Sequence, residues 1–253
     1  MNIKCNTIKN PVFRRPSFVK SCTSHNALCV MSLLLAVFAL GGCRKSRTAA
    51  PPNEPNQPTE SNVPPSLPPA ETVLFDGKTL GDWKITDFGG QGDVYVKDGS
   101  IILEMGNDLT GVNWAGPLVR MNYEITLEAM RVSGSDFFCG LTFPVGDKPC
   151  SLILGGWGGA VCGLSNIDYY DAANNETTRI VSFENGKWYR VRLRVTPDKI
   201  EAWLDDEKLV DIETTGRKID IRSEVDLSKP LGIASWQTAA AIRNIKMRTL
   251  TEP

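Results

Sequence analysis

Histidine is almost absent from this sequence. The 253 residues include one, His25, and it lies in an N-terminal segment with the features of a cleaved export signal. A mature chain without that segment contains no histidine. It therefore has no Ser-His-Asp or Cys-His catalytic centre, no His-ligated zinc site and no imidazole acid or base. The rest has an ordinary globular composition, 42% hydrophobic and 23% charged, and is long enough for one well-buried domain.

Acidic side chains are absent from residues 1–42. This segment carries five basic residues and then an uncharged apolar run, Ala27–Leu40, which is too short for the roughly 20 residues that span a bilayer. We therefore predict a signal peptide over 1–42. Its end, Leu40-Gly41-Gly42-Cys43, resembles a bacterial lipobox, so we expect a lipid on the Cys43 thiol. An uncleaved anchor, or a cysteine that follows a signal peptide by chance, is the alternative.

Removing the five basic residues of the signal from the 28 in the whole chain leaves 23 against 29 acidic residues, a net charge of −6. Such an acidic protein is a poor candidate for nucleic acid, and none is predicted as a partner. The lipid predicts a membrane anchor in the bacterial cell envelope. Arg44, which follows the lipidated cysteine, is compatible with the outer membrane.

Larger apolar side chains are scarce from Ala49 to Ala70, where Val63 and Leu67 are accompanied by 8 prolines in 22 residues. Such a stretch does not bury enough apolar surface to fold, and its prolines favour an extended spacer. We predict a tether over 43–71 and a domain over 72–250. A proline-rich recognition motif is the alternative interpretation of the tether.

Cysteines in the predicted domain show no metal-binding spacing. Cys139, Cys150 and Cys162 are widely separated, with no Cys-x-x-Cys pair. Two of them could form a disulfide in an oxidising envelope, or all three could be buried as free thiols. The residues assign neither a metal nor a cofactor.

Period-two alternation recurs through the domain. In the segment 123–132 it places Tyr123, Ile125, Leu127 and Ala129 on one face, which is typical of a half-buried strand. No window longer than about ten residues has a helical period, so we predict antiparallel strands packed as a two-sheet sandwich. Further predicted strands are Val94–Lys97, Ser100–Glu104, Phe137–Phe143, Ser151–Leu154, Ile180–Phe183, Val191–Val195, Lys199–Leu204, Lys208–Ile212, Leu231–Ser235 and Ile242–Met247.

Four segments, taken in order, resemble one family. The opening Val73–Trp83, the strand and turn Val94–Ile101, the stretch Gly186–Val210 and the ending Leu231–Met247 are similar to the corresponding motifs of the 3-keto-disaccharide hydrolase domain family. The resemblance spans nearly all of residues 73–250. It implies an all-β, two-sheet antiparallel jelly-roll sandwich of the concanavalin or laminin-G type. It also implies cleavage of glycosidic bonds, notably in 3-keto sugars.

The chain departs from the family's pattern where chemistry is concerned. Members often have Gln-x-His-Gly before the last strand, whereas this chain has Ser235-Trp236-Gln237-Thr238-Ala239. If that family needs an imidazole, it is absent here. We name Asp136 and Asp168 as acid and base candidates. The resemblance also places Trp236 and Gln237 as ligand-binding candidates.

Another carboxylate pair is excluded by distance. Glu124 and Glu128 share a strand face, but four residues at about 3.3 Å each place them roughly 13 Å apart, beyond the roughly 5–9 Å of a glycosidase pair. We interpret them as part of a solvated face.

The polar segment 166–176 is the best saccharide subsite that the residues suggest. The rings of Tyr169 and Tyr170 could stack on a sugar while Asp171 binds hydroxyls, since loops on rigid sandwiches often carry binding sites. A calcium site, or a polar loop with one tyrosine in the core, is the alternative. Trp157, between Gly155-Gly156 and Gly158-Gly159, is a second ligand-binding candidate, although the glycines could equally serve a bend.

Two functions remain open at this stage. One is a lipid-anchored hydrolase or lyase that acts on saccharides. The other is a non-catalytic sandwich that binds a glycan or an envelope partner.

Overall fold

The computed structural model describes residues 71–251. The predicted signal peptide 1–42, the lipidation site Cys43 and all of the predicted tether except Glu71 lie outside the described residues.

Fifteen β-strands make up nearly all of the regular structure in this range. A four-residue turn, Gly156–Gly159, and a 3₁₀ helix, Ser223–Ser228, are the other elements. The strands are β1 Glu71–Val73, β2 Trp83–Ile85, β3 Val94–Lys97, β4 Ser100–Leu103, β5 Leu109–Trp114, β6 Tyr123–Gly134, β7 Cys139–Val145, β8 Lys148–Gly155, β9 Val161–Ser165, β10 Arg179–Ile180, β11 Trp188–Val195, β12 Lys199–Leu204, β13 Glu207–Glu213, β14 Gly232–Trp236 and β15 Thr238–Thr249.

The strands form two antiparallel sheets. The eight-stranded sheet runs β13-β12-β11-β6-β15-β4-β3, with β1 also paired to β15, and the seven-stranded sheet runs β10-β9-β8-β7-β14-β5-β2. The predicted all-β, two-sheet jelly-roll sandwich is confirmed. In the described part of the chain no helix is long and apolar enough to cross a membrane.

The main core lies between the two sheets. Tyr123, Ile125, Leu127 and Ala129 on β6 are all at most 2% exposed, as their alternation predicts. They share one apolar cluster with the inward residues of the seven-stranded sheet, including Leu141, Phe143, Leu152 and Leu154. Each buried Ile, Leu or Phe side chain among them contributes about 1.5–3 kcal/mol by leaving water, so this interior stabilises the scaffold on which the outer faces are built.

The three domain cysteines lie on the core side of adjacent strands. Cys139 on β7, Cys150 on β8 and Cys162 on β9 are buried and free. Burial raises the pKa of the Cys139 and Cys150 thiols to about 12 and that of Cys162 to about 11. Their thiols therefore stay protonated near neutral pH and act as small apolar side chains.

Glu124 does not belong to a solvated face, contrary to the expectation from the sequence. Its side chain is 4% exposed, because the arginines Arg192, Arg194 and Arg248 enclose it. Arg194 and Arg248 are its direct neighbours on β11 and β15. The cross-strand register therefore brings the charges together and covers the carboxylate.

Two tryptophans on strand patterns lie on the outer face of the eight-stranded sheet and not in the core. Trp83 is buried at 1% exposed, whereas Trp188 and Trp203 are half-buried. The guanidinium of Arg192 lies 3.7 Å from the Trp203 ring centroid, and that of Arg243 lies 4.0 Å from Trp188. Stacked cations therefore cover these rings in place of a second apolar layer.

Candidate functional site

The outer face of the seven-stranded sheet carries polar side chains that alternate with core residues. On β8, Ser151 and Ile153 alternate with the core residues Leu152 and Leu154, so they point away from the sandwich interior. Ser165 at the end of β9 and Trp236 at the end of β14 lie on the same side. This face is the floor of a cleft.

The segment 214–231, which joins β13 to β14, crosses this outer face. Its Ile221 and Val225 are buried against Leu109 and Ala234 of the sheet, with Phe137 and Trp236 at the margin of the cluster. A small second core therefore fixes the 3₁₀ helix over the sheet. The cleft opens beside it.

The cleft has a volume of about 230 Å³ and combines aromatic, hydroxyl and charged groups. Three candidates from the sequence, Asp136, Trp157 and Trp236, meet here. The lining comprises Asp136, Phe137, Ser151, Ile153, Trp157, Ser165, Arg222, Glu224, Val225 and Trp236.

Trp157 stands on a turn that leaves β8 in a left-handed conformation. Its φ and ψ are 51° and 50°, and the residue is 44% exposed. Asp136 holds this turn, since its Oδ2 accepts a hydrogen bond of 2.9 Å from the Gly158 N–H. Its Oδ1 accepts another, of 2.7 Å, from the Phe137 N–H. Both Asp136 oxygens therefore have backbone partners, and the carboxylate fixes the Trp157 indole at the cleft.

Arg131 supports the same turn from the end of β6. Its Nη1 donates to the Gly159 carbonyl at 3.4 Å and its Nη2 to the Phe183 carbonyl at 2.7 Å, while Nε donates to the Asn185 side chain. The residue is 6% exposed. A buried guanidinium that bonds carbonyl and amide oxygens joins the Trp157 turn to the loop before β11.

Arg222 joins the 3₁₀ helix to the predicted saccharide loop. Its Nη2 donates to Glu224 Oε1 and its Nη1 to Asp171 Oδ2 at 3.2 Å. The hydrogen bond from Arg222 lowers the pKa of Glu224, and the Glu224 carboxylate raises the pKa of Arg222. Both groups are therefore charged at neutral pH.

The two predicted tyrosines are displayed on a tight turn. Ile167 and Tyr170 exchange two backbone hydrogen bonds of 2.9 Å, with positive φ at Asp168 and Tyr169. Tyr169 is 76% exposed and Tyr170 is 60% exposed, so neither ring enters the core. Lys218 Nζ lies 3.8 Å from the centroid of the Tyr169 ring.

Asp168 anchors this turn and is not among the residues that line the cleft. Its Oδ1 accepts the Lys218 N–H at 2.8 Å, and its Oδ2 lies 2.8 Å from Arg217 Nε. Asp136 and Asp168 therefore belong to separate hydrogen-bond networks.

Gln237 also turns away from the lining. Its φ is 43°, and its Nε2 donates to the Asn107 carbonyl and to Asp108 Oδ1 at 3.0 and 3.3 Å. These bonds tie the turn between β14 and β15 to the segment before β5. They orient the neighbouring Trp236.

Arg222, Glu224 and Phe137 are cleft residues that the sequence did not single out. In the sequence, Arg222-Ser223-Glu224 is an ordinary polar connection. These side chains reach the cleft only because the fold places the segment over the sheet. Among residues 71–251 no group of three or more His, Cys, Asp or Glu side chains is placed to hold a metal ion.

The profile of the 3-keto-alpha-glucoside-1,2-lyase-like domain matches residues 70–248. The chain belongs to this family. The matched range runs from β1 into β15 and includes every residue that lines the cleft. The family predicted from the four sequence motifs is thus confirmed.

Solved structures of similar shape have low sequence identity to this family member. A Parabacteroides distasonis protein, described as a proposed glycosyl hydrolase, is 16% identical with a TM-score of 0.47, over 72% of this chain and 94% of that one. The carbohydrate-binding module CBM66 of Bacillus subtilis is 10% identical, with a TM-score of 0.44 over 66% and 96%. A Bacillus subtilis protein with a galectin-like fold is 11% identical, with a TM-score of 0.46 over 71% and 94%. No curated protein sequence matches the chain.

Proposed function

We propose that this domain binds a saccharide in the cleft and acts there on glycosidic bonds of keto-saccharides. The observation that carries the proposal is the meeting of Trp157 and Trp236 with Ser151, Ser165 and a charged pair in one cleft. Aromatic faces stack on the apolar face of a sugar ring, and the polar groups bind its hydroxyls.

The size of the cleft favours a short ligand. Pockets for drug-sized molecules measure roughly 300–1,000 Å³, and this one measures about 230 Å³. We propose that it holds the terminal unit of a saccharide. Tyr169 and Tyr170 are exposed and directly precede Asp171, which contacts the lining residue Arg222. They are the candidates for contacts with the next unit.

Glu224 is the group best suited to the chemistry that the family name implies. A 3-keto group acidifies the neighbouring C2 proton. A base that removes this proton allows a C1–C2 double bond to form as the C1–O bond breaks and its electrons leave with the departing oxygen. Glu224 is ionised at neutral pH and can accept a proton, although Arg222, which lowers its pKa, also makes it a weaker base. Glu224 Oε2 has only a 3.3 Å contact with the Ser223 hydroxyl.

Turnover of a 3-keto-disaccharide, beside the unoxidised disaccharide, tests this proposal. We expect the wild type to cleave the keto form and Glu224→Gln to lower kcat by about 100-fold or more, a typical loss for a missing general base. Asp206→Asn is the control, because Asp206 pairs with Arg190 of the eight-stranded sheet and lies outside the cleft lining. The roles of Asp136 and Asp168 as acid and base stay a prediction. They would be favoured if Asp168→Asn lost all turnover while Glu224→Gln kept the turnover of the wild type.

A non-catalytic binding domain is the second candidate. It is favoured by the bonding of Asp136, whose two oxygens both accept backbone N–H groups, and by the separate network of Asp168. Saccharide binding that Trp236→Ala weakens, with no turnover of either disaccharide, would support this candidate. It would also overturn the catalytic proposal.

We also propose that the full-length chain is a lipoprotein of the bacterial envelope, anchored at the outer membrane. The support is the charge pattern of residues 1–42 and the lipobox-like end at Cys43. Labelled palmitate should enter the wild type and not Cys43→Ser, with both expressed at equal levels. Equal labelling of the two would rule out a lipid on Cys43.

A further inference from the structure

The charges at the cleft are unequal. Asp136 and Glu224 line it, and Asp171 contacts the lining from the neighbouring loop. Arg222 is the only cation among the lining residues of the described chain. The cleft and its margin therefore carry three carboxylates and one guanidinium.

Arg222 already has partners on both sides. It forms ion pairs with Glu224 and with Asp171, which come from two different segments. The backbone N–H groups that bond Asp136 are neutral, so they satisfy its oxygens without cancelling its charge. An incoming anion would therefore meet no unpaired cation in the lining.

Two further arginines, Arg131 and Arg217, also have partners. Arg131 lies behind the Trp157 turn and bonds the carbonyls of Gly159 and Phe183. Arg217 pairs with Asp168 and Glu176. Neither is a lining residue, so neither presents a free N–H donor to an anion in the cleft, although the neutral partners of Arg131 leave its charge uncancelled.

We infer that the cleft selects neutral saccharides and rejects acidic ones such as uronic acids. This specificity rests on the proposed saccharide binding and names its substrate class. A hydroxyl can donate to Asp136 or Glu224 and accept from Arg222, whereas a carboxylate offers only acceptors to a surface rich in acceptors. Like charges brought together in a partly desolvated site repel, and this repulsion acts as discrimination against the acidic ligand.

A matched pair of ligands tests the inference on the full-length protein. The pair is a glucose disaccharide and the same disaccharide with its terminal C6 oxidised to a carboxylate, each titrated at pH 7 by calorimetry. We expect the acidic form to bind at least about tenfold more weakly at low salt. The ratio of the dissociation constants, acidic over neutral, should shrink in 0.5 M salt, since screening shortens the reach of the repulsion.

Glu224→Gln changes the charge with little change in shape. It removes one carboxylate and frees one side of Arg222, so the ratio should shift toward the acidic sugar by about tenfold. Asp206→Asn removes a carboxylate that pairs with Arg190 of the eight-stranded sheet, so it should leave the ratio as in the wild type. If circular dichroism shows that Glu224→Gln does not fold, Asp171→Asn serves the same purpose from the neighbouring loop.

The outcomes separate the two claims. If neither disaccharide binds the wild type, the charge selection is overturned, while turnover of the 3-keto-disaccharide decides the proposed function separately. If the acidic form binds as tightly as the neutral form or more tightly, saccharide binding stands and the charge selection is wrong. A ratio that moves equally in Glu224→Gln and Asp206→Asn would also overturn it.

Discussion

Glu124 shows how one residue organises the outer face of the eight-stranded sheet. It lies on β6 between Arg194 on β11 and Arg248 on β15, which are its cross-strand neighbours in register. Arg192 completes the group at 3.6 Å. A carboxylate taken from water in this way needs several cations around it, because one partner rarely offsets the cost of desolvation.

Removing this charge should destabilise the domain. Glu124→Gln keeps the volume and leaves three arginines without their common partner. Breaking a fully buried ion pair costs about 3–5 kcal/mol. The arginine side chains are 32–39% exposed, so water compensates in part and we expect about 1–3 kcal/mol. Urea unfolding measures the change.

Asp206→Asn provides the comparison for Glu124→Gln. Asp206 also pairs with an arginine, Arg190, but its side chain is 93% exposed. Such surface pairs contribute between nothing and about 1 kcal/mol. If Asp206→Asn and Glu124→Gln had equal urea midpoints, the buried ion pairs of Glu124 would contribute no more to stability than the exposed pair of Asp206.

At the scale of elements, the Trp157 turn depends on two glycines with different surroundings. Gly158 and Gly159 both have positive φ, 89° and 111°. A Cβ on Gly158 would meet nothing within 4 Å, whereas one on Gly159 would lie 2.7 Å from the Ser135 carbonyl oxygen and 3.1 Å from Arg131 Nη1. The first position is constrained by its backbone alone, and the second by backbone and space.

Alanine at the two positions should therefore behave differently. Gly158→Ala should cost about 1–2 kcal/mol, the penalty of a left-handed residue with a Cβ. Gly159→Ala should cost more and should also weaken saccharide binding, because the turn has to move and carries Trp157 with it. Unfolding curves and calorimetric titration of the same disaccharide measure the two effects. Equal loss of stability and of binding in both variants would contradict the role of the Ser135 contact.

Several strands that alternate strictly could be predicted from the sequence, whereas two whose alternation glycine or asparagine interrupts could not. Val94–Lys97 and Lys199–Leu204 were predicted with the bounds that the structure has. The strands β5 and β9 were missed, because Gly111, Asn113 and Gly163 break their pattern. A strand between two paired neighbours needs less propensity of its own, since the tertiary environment supplies it.

The cleft itself was predicted only in part. Trp157 and Trp236 stand out by their residue type and flanking glycines, and both line it. Arg222 and Glu224 have no such mark. They reach the cleft because Ile221 and Val225 bind the crossing segment to the sheet through a second core, a contact between parts of the chain about 100 residues apart.

At the scale of the whole molecule, the two sheets differ in how they use their outer faces. That of the eight-stranded sheet is covered by ion pairs and stacked cations around Glu124, Trp203 and Trp188. That of the seven-stranded sheet is covered by the segment 214–231 and holds the cleft. One face thus stabilises the scaffold while the other keeps a concave surface open, and both depend on carboxylates that remain ionised.

Acid should therefore destabilise the domain. Hydrogen bonds from Thr79 and Lys78 lower the pKa of Asp76, those from Lys208 and Lys199 lower that of Asp211, and the one from Arg222 lowers that of Glu224. For Glu128, burial works in the opposite direction, but the hydrogen bonds from Asn244 and Arg243 outweigh it and lower the pKa.

The sign follows from the direction of these shifts. A carboxyl whose pKa is lower in the folded state than its ordinary value of 3.8 or 4.5 stabilises the fold fully above that ordinary value. This stabilisation is lost as the pH falls through the folded pKa, because the unfolded chain then binds more protons. The urea midpoint should thus be flat between pH 6 and 8 and should fall below about pH 4.5.

Glu128→Gln removes one of these groups, so its midpoint should fall less steeply than that of the wild type over the same acid range. If the urea midpoints of the two proteins fell with the same slope in acid, the ion pair of Glu128 with Arg243 would not contribute to the pH dependence.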